Sequence, residues 1–171
     1  MKKIVFRFVA YVLLFMLGFL SYNVVYEITE KQQAAEMRQS LPAFSFQGLA
    51  GQAFELGDLA AGRPTLVIYF HPDCDHCQYE ARAVRDSLHR FAEANVLLVS
   101  NEPIERLREF GEAYDLLGTP NVHILHDANG DFKRLFGTSS VPSIFIYNRN
   151  RELVKHYKGE TKVEAILTYL E

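Results

Sequence analysis

The sequence predicts an α/β domain with a central mixed β-sheet flanked by helices, preceded by one transmembrane helix. A long apolar run without charged residues, Phe8 to Tyr26, lies close to the N-terminus. Beyond it, apolar runs rich in β-branched residues alternate with segments of helical period, which is the pattern of an α/β sheet. Leu, Ile, Val and Phe make up about a third of the 171 residues, enough for a sizeable core.

The charge and the cysteine count exclude several classes of protein. The formal net charge is −3, and the 18 Lys and Arg residues form no basic cluster of the kind that binds nucleic acid. We therefore expect no nucleic-acid partner. The two cysteines can build neither a disulfide-dense scaffold nor a four-thiolate metal site, but they can form one redox pair.

Residues 8–26 are predicted to cross a membrane once and to contact its lipid. A helix of this length spans about 29 Å, close to the hydrocarbon thickness of about 30 Å. Three basic residues precede the run and place residues 1–7 in the cytoplasm: Lys2, Lys3 and Arg7. A cleaved signal peptide is the competing interpretation, although residues 18–23 fit its small-residue cleavage pattern poorly. The prediction is a single-pass protein of the cell (inner) membrane, with its domain on the periplasmic or extracytoplasmic side.

Residues 27–40 are polar, lack Gly and Pro, and are rich in helix formers. This composition predicts a helical stalk or linker that ends at Leu41-Pro42. A flexible tether is the alternative for the same residues. No further linker follows, so residues 41–171 are predicted to form one domain.

The predicted elements of this domain alternate between strands and helices. In chain order they are a hairpin (43–46 and 52–56), a strand (65–70), a helix (75–94), a strand (96–99), a helix (103–114), a strand (122–125), a second hairpin (143–147 and 153–157) and a helix (161–170). The run Thr65–Phe70 is continuously apolar, which is typical of a strand buried on both faces. The helix at 103–114 opens on a proline, which the first turn tolerates.

The motif Cys74-Asp-His-Cys77 carries the predicted chemistry. It lies where the strand 65–70 ends and the helix from residue 75 begins, and two cysteines one turn apart can close a small disulfide ring. The N–H groups of a helix N-terminus stabilise a thiolate at Cys74, which is then the nucleophile. Cys77 is then the resolving thiol that breaks a mixed disulfide. This chemistry needs no cofactor beyond the Cys74–Cys77 disulfide itself, and no metal.

Residues 41–171 resemble the thioredoxin superfamily, and within it the membrane-tethered extracytoplasmic proteins of the TlpA and ResA type, which carry a redoxin (AhpC/TSA-like) domain. Four features carry the resemblance: the N-terminal hairpin of residues 42–56, the Cys74–Cys77 motif after a buried strand, Glu80, and the segment 140–147 with its Val141-Pro142. Residues 103–119 match the insertion typical of the TlpA type. The resemblance implies a thioredoxin-like fold with a cis peptide bond at Val141-Pro142.

The resemblance also implies a function and roles for particular residues. It implies a thiol–disulfide oxidoreductase that exchanges electrons with the thiols and disulfides of client proteins, with reduction favoured, and that receives electrons from a membrane-bound or thioredoxin-like donor. Glu80 would handle protons, although an ordinary exposed helix-face acid is the other interpretation. Asp75 and His76 would tune the redox potential. Val141 and Pro142 would form the edge that pairs with the client.

One departure and three alternatives stay open. Ile68 occupies the position at which thioredoxin carries a buried aspartate, so the role of that acid cannot be assigned here. A copper chaperone is an alternative because four possible ligands lie close together: His71, Cys74, His76 and Cys77. A peroxidase and a non-enzymatic thioredoxin-like binding module are the others.

Overall fold

The computed structural model describes residues 15–26 and 39–170, and the chain divides into two units, residues 1–36 and 37–171. In the first unit, residues 15–26 form a helix (α1) with exposed side chains. The rings of Tyr22 and Tyr26 stack in it with centroids 6.3 Å apart. Within the described ranges, no helix is both long enough and apolar enough to span a bilayer. The predicted cytoplasmic residues 1–7, the first part of the predicted 8–26 anchor and nearly all of the 27–40 stalk lie outside the described residues.

The second unit contains seven strands and four helices among its described residues. The strands are β1 (Ser45–Gly48), β2 (Ala53–Glu55), β3 (Thr65–Tyr69), β4 (Asn95–Ser100), β5 (Val122–His126), β6 (Ser143–Tyr147) and β7 (Leu153–Lys158). The helices are α2 (Asp75–Asp86), α3 (Ile104–Ala113), α4 (Phe132–Phe136) and α5 (Val163–Leu167). All strands belong to one sheet in the order β2-β1-β5-β4-β3-β6-β7.

The sheet is mixed, as the sequence predicts. Strand β4 pairs in parallel with β3 and β5, and the two hairpins β1–β2 and β6–β7 are antiparallel. In the register of β3 with β6, Tyr69 lies opposite Ser143 and Thr65 opposite Tyr147. The start of β6, with Pro142 just before it, therefore lies at the end of the sheet where β3 delivers the chain to the cysteine motif.

The two faces of the sheet carry separate hydrophobic cores, because side chains of a strand alternate between faces. On β3, Leu66, Ile68 and Phe70 belong to one core, and Val67 and Tyr69 to the other. The first core takes its helical partners from α2, α3 and α5, and the second from α4. Every residue of β3 is buried, which confirms the predicted burial on both faces.

Three elements differ from the sequence-based expectation. The helix predicted over 161–170 is shorter and covers Val163–Leu167 (α5). The helix predicted over 75–94 ends at Asp86, and a 3₁₀ turn at Leu88–Phe91 follows. Ser87 leaves the helical conformation, and the tighter turn then carries Phe91 into the core, where it is fully buried. Helix α4 was not predicted, since five residues are too few to show a helical period.

The chain joins the domain at the end of the sheet away from the cysteines. The N–H of Leu41 donates to the carbonyl of Arg151, and the N–H of Leu153 to the carbonyl of Gln39, each at 2.7 Å. These bonds fasten residues 39–41 to the turn between β6 and β7. Because β6 runs from the cysteine end of the sheet to the opposite end, this turn lies at the opposite end.

Candidate active site

Strand β3 and helix α2 place the two cysteines. The strand continues its pairing through Phe70, whose N–H donates to the carbonyl of Val99 at 3.0 Å. Residues 71–73 then turn the chain, and the N–H of Cys74 donates to the carbonyl of His71 at 3.1 Å. Cys74 is the N-cap of α2, with extended backbone angles. Its sulfur therefore lies at the helix N-terminus, where unpaired N–H groups favour an anion.

The two cysteines are both free thiols, and their surroundings differ sharply. Cys74 is half-buried, whereas Cys77, one helical turn further, is only 2% exposed. The pKa of Cys77 is raised to about 12, mainly by burial and also by a hydrogen bond with the Cys74 side chain. A bond from the His71 backbone lowers that pKa, and the nearby Glu80 carboxyl raises it. The pair thus combines one accessible sulfur with one buried sulfur that holds its proton.

Glu80 is buried, contrary to the interpretation as an exposed helix-face acid. It is 1% exposed, on the same face of α2 as Cys77 because the two are three residues apart. One carboxylate oxygen, Oε2, accepts a hydrogen bond from the N–H of Thr161 at 2.9 Å. Oε1 has no hydrogen-bond partner among the described residues. The pKa of Glu80 is raised to about 7: burial is the main cause, the charge of Glu160 adds to it, and the Thr161 bond opposes it.

A short loop after β7, Gly159–Thr161, contacts several parts of this region. The N–H of Gly159 donates to the carbonyl of Pro142 at 2.8 Å. The carboxylate of Glu160 lies 2.6 Å from Nδ1 of His76, and Thr161 holds Glu80. The 159–161 loop therefore connects the segment before β6 to helix α2. Nothing in the local sequence marks this loop, because its partners lie 17 to 84 residues away in the chain.

The Val141–Pro142 peptide bond is cis, which confirms that expectation. Pro142 is buried, whereas Val141 is 36% exposed. The hydroxyl of Ser143 donates to the carbonyl of Ser140 at 2.7 Å and closes the turn before β6. The exposed residue Val141 thus lies at the cysteine end of the sheet, beside the end of β3.

A network of charged side chains lies on the other side of the cysteine loop. Nε2 of His71 is 3.0 Å from Oε1 of Glu102, and the Arg106 guanidinium donates to Oε2 of Glu102 at 2.7 Å. Arg106 also donates to Oδ1 of Asp73 at 2.5 Å, and this bond lowers the pKa of Asp73. The N–H of Asp73 donates to Nδ1 of His71 at 3.1 Å, which closes the circle. We call these four residues the Asp73–Arg106 network.

The surroundings of the remaining predicted site residues complete this description. Asp75 and His76 are exposed in the first turn of α2. Ile68 is 1% exposed in the same core as Cys77, so a hydrocarbon side chain fills this position. Within residues 15–26 and 39–170, no three His, Cys, Asp or Glu side chains are grouped so that they could hold a metal ion.

Sequence reasoning missed Glu102, Arg106, Glu160 and Thr161, which only the tertiary structure brings to the site. The single local signal is the spacing of Glu102 and Arg106, four residues apart, which permits an ion pair across the start of α3. That spacing does not reveal that the pair reaches Asp73.

Known proteins are similar to this chain in sequence and in fold. The model of the AhpC/TSA family matches residues 37–156. The thiol-disulfide oxidoreductase ResA of Bacillus thuringiensis subsp. konkukian is 22% identical over 174 residues, covering 100% of this chain and 98% of that relative. This similarity confirms the resemblance to the ResA type.

Solved structures show the same fold. DsbF of Mycobacterium tuberculosis, in mixed oxidized and reduced forms, superposes with a TM-score of 0.65 and 21% identity over 78% of this chain and 94% of its own. StoA of Bacillus subtilis superposes with a TM-score of 0.62 and 16% identity over 78% and 99%. These likenesses confirm the thioredoxin-like fold with its central mixed sheet.

Proposed function

Because this chain belongs to the AhpC/TSA family and carries two free cysteines at a helix N-terminus, we propose that it is a thiol–disulfide oxidoreductase that acts on client proteins. The observation that carries the proposal is the contrast between an accessible Cys74 and a buried Cys77. The Cys74 sulfur is accessible to a client protein, and the buried Cys77 sulfur lies close enough to react with Cys74 afterwards. The relatives named as thiol-disulfide oxidoreductases support this assignment.

The reductive reaction proceeds in two exchanges. The Cys74 thiolate attacks one sulfur of a client disulfide, so that a Cys74–client bond forms and the client S–S bond breaks. The departing client sulfur takes up a proton. Cys77 then loses its proton and attacks the Cys74 sulfur, which releases the second client thiol. In total the client gains two electrons and two protons, and the Cys74–Cys77 pair becomes a disulfide.

Glu80 serves as the proton acceptor for Cys77 in this scheme. With a pKa of about 12, Cys77 is almost fully protonated at neutral pH and needs a base before it can attack. Glu80 lies on the same helix face, and its pKa of about 7 suits proton transfer near neutral pH. Its unpartnered Oε1 is the atom that can take the proton.

The segment before β6 is proposed to bind the client. An extended client chain can pair with the exposed backbone at Val141, as peptides commonly add to exposed strand edges. Pro142 holds this edge through its carbonyl, which is bonded to Gly159. Asp75 and His76 are proposed to tune the redox potential, since about 30 mV corresponds to only 1.4 kcal/mol for a two-electron couple.

We propose that electrons flow toward the client, from a membrane-bound or thioredoxin-like donor, and that residues 8–26 anchor the protein in the cell membrane. Support for the anchor is the uncharged run flanked by Lys2, Lys3 and Arg7. A periplasmic reporter fused after Glu171 should be active only outside the cytoplasm, and the protein should stay in the membrane pellet after carbonate washing. Release of a mature chain that begins near Ser21 would contradict the anchor.

Trapping of mixed disulfides tests the proposed chemistry. Cys77→Ser removes the resolving thiol and leaves the nucleophile, so client adducts should accumulate and run as larger, reductant-sensitive species on gels. Cys74→Ser should trap few adducts, because Cys77 is buried and protonated. Equal trapping by both variants, or by neither, would contradict the assignment of the two sulfurs.

The same preparations separate the alternatives. A copper chaperone would hold about one copper per chain after reconstitution and would lose it in either cysteine variant. A peroxidase would consume hydrogen peroxide faster than it reduces insulin. A binding module would show neither activity and would bind its partner equally well in the Cys74→Ser variant.

A further inference from the structure

The Asp73–Arg106 network lies against the cysteine loop and has no part in the proposed exchange. We propose that Arg106 is a positioning residue that pairs with Asp73, thereby relieves the repulsion between that carboxylate and the Cys74 thiolate, and so sets the redox potential of the Cys74–Cys77 couple. This inference rests on the proposed function and names a residue on helix α3 that determines how reducing the couple is.

The electrostatic argument begins with Asp73, which directly precedes the nucleophile. A carboxylate beside a thiolate disfavours the thiolate by like charge. In this protein, however, the guanidinium of Arg106 binds the Asp73 carboxylate, so a compensating positive charge accompanies it. The reduced pair is the form that carries the thiolate. Loss of the positive charge therefore destabilises the reduced form and leaves the disulfide form unaffected.

The orientation of Arg106 is fixed from a second side. Its other terminal nitrogen donates to Glu102, four residues earlier on the chain, and Glu102 also binds His71. His71 in turn is bonded to the cysteine loop through its backbone, because its carbonyl accepts a hydrogen bond from the N–H of Cys74. The guanidinium is thus held at a defined place beside the redox pair.

The other charged groups near the couple are separate from this network. Asp75 and His76 lie on the first turn of α2, His76 pairs with Glu160 of the 159–161 loop, and Glu80 is bound to Thr161. A substitution at Arg106 leaves all of these contacts in place. The effect of Arg106 can therefore be measured apart from the tuning proposed for Asp75 and His76.

The test uses the full-length protein in detergent and four variants: Arg106→Gln, Asp73→Asn, the double variant, and Arg108→Gln as control. Arg108 lies on the same helix, but it donates to the carbonyl of Leu49 and does not belong to the Asp73–Arg106 network. Two quantities are measured at low salt: the rate of Cys74 alkylation by iodoacetamide at pH 7, and the equilibrium of the couple with reduced and oxidised glutathione.

Arg106→Gln should slow the alkylation about threefold to tenfold and shift the glutathione equilibrium toward the disulfide by a similar factor. A tenfold shift corresponds to about 30 mV toward a more reducing potential. Asp73→Asn should shift both quantities in the opposite direction, because it removes the negative charge next to Cys74 and keeps the positive charge of Arg106. The double variant should return close to the wild type, and the differences should shrink in 0.5 M salt.

An electrostatic role requires that Arg106→Gln and Asp73→Asn shift the redox equilibrium in opposite directions. If the network merely held the loop together, both single variants would shift the couple in the same direction and the double variant would shift it at least as far. That result, or an Arg106→Gln variant indistinguishable from Arg108→Gln, would overturn the inference. Failure of the proposed function looks different, because the wild-type cysteines would then not equilibrate with glutathione at all.

Discussion

Glu80 shows how the surroundings of one residue change its chemistry. In the sequence, Glu80 is an acid three residues after a cysteine, and its role depends on whether its side chain is buried or exposed to water. Almost complete burial raises its pKa to about 7, so the carboxyl changes its charge near neutral pH. A group of this kind suits proton transfer, and its ionisation also affects the stability of the fold.

The raised pKa of Glu80 predicts that its contribution to stability falls as the pH rises. An acid whose pKa increases on folding stabilises the native state most below its unfolded pKa, about 4.5, and this contribution is lost as pH passes through about 7. Gln does not ionise, so the Glu80→Gln variant does not lose this contribution as the pH rises. The unfolding free energy of the variant, relative to that of the wild type, should therefore increase by up to about 3 kcal/mol between pH 4.5 and pH 8. Urea unfolding followed by circular dichroism at pH 5 and pH 8 measures this difference.

Glu105→Gln is the matched control for that experiment. Glu105 is exposed in the first turn of α3, so its substitution should change stability equally at both pH values. A Glu80→Gln variant with the same pH dependence of stability as the wild type would show that Glu80 does not ionise in this range.

At the scale of elements, helix α4 depends on a buried side chain for its start. Asp127 is 2% exposed, and its two carboxylate oxygens accept hydrogen bonds from the N–H groups of Asp131 and Phe132 at 2.8 and 2.9 Å. Phe132 in turn stacks on Tyr69 of β3, with ring centroids 4.1 Å apart. The turn and the short helix are therefore held by one carboxylate and one aromatic cluster.

Removal of this carboxylate should destabilise the domain. Asp127→Ala leaves two N–H groups without their acceptor in a buried place, which should cost about 2 to 4 kcal/mol of unfolding free energy. Asp127→Asn keeps one acceptor oxygen and should cost about half as much. Asn129→Ala, in the same turn but exposed, should change stability by less than about 0.5 kcal/mol. Equal stabilities of the Asp127→Ala and Asn129→Ala variants would contradict this account.

At the scale of the whole molecule, the described part of the second unit begins with a segment that belongs to the core. Leu41 and Phe44 are 4% and 5% exposed, and residues 39–41 are bonded to the turn between β6 and β7. The chain therefore joins the domain at the opposite end of the sheet from Cys74.

Truncation tests how much the segment contributes. A fragment of residues 37–171 should unfold cooperatively and keep the redox couple, because it contains the whole second unit. A fragment that begins at residue 45 loses two buried apolar side chains, which should reduce the unfolding free energy by about 3 to 6 kcal/mol. Phe44→Ala in the longer fragment should account for a large part of that loss. Equal stability of the two fragments would show that residues 37–44 do not support the core.

The sequence by itself determined the class of the domain, the order of its long elements and the two sulfurs. Strand Thr65–Tyr69 and the cysteine motif are local features: a continuous apolar run predicts a buried strand, and the spacing of the cysteines places them on one helical turn. The cis bond at Val141–Pro142 followed from a resemblance in a short segment. The end of α2 at Asp86 and the existence of α4 did not follow, since packing of Phe91 and Phe132 decides them.

Only the tertiary structure decided the surroundings of the two sulfurs. Three contacts join residues that are 33 to 84 positions apart in the chain. They are the bond from Thr161 to the buried Glu80, the pairing of His76 with Glu160, and the pairing of Asp73 with Arg106. Sequence periodicity reports which face of an element is apolar, but it does not report which polar groups meet across elements. The residues that carry the chemistry are therefore visible in the sequence, and the groups that adjust their charge become visible only when the chain is folded.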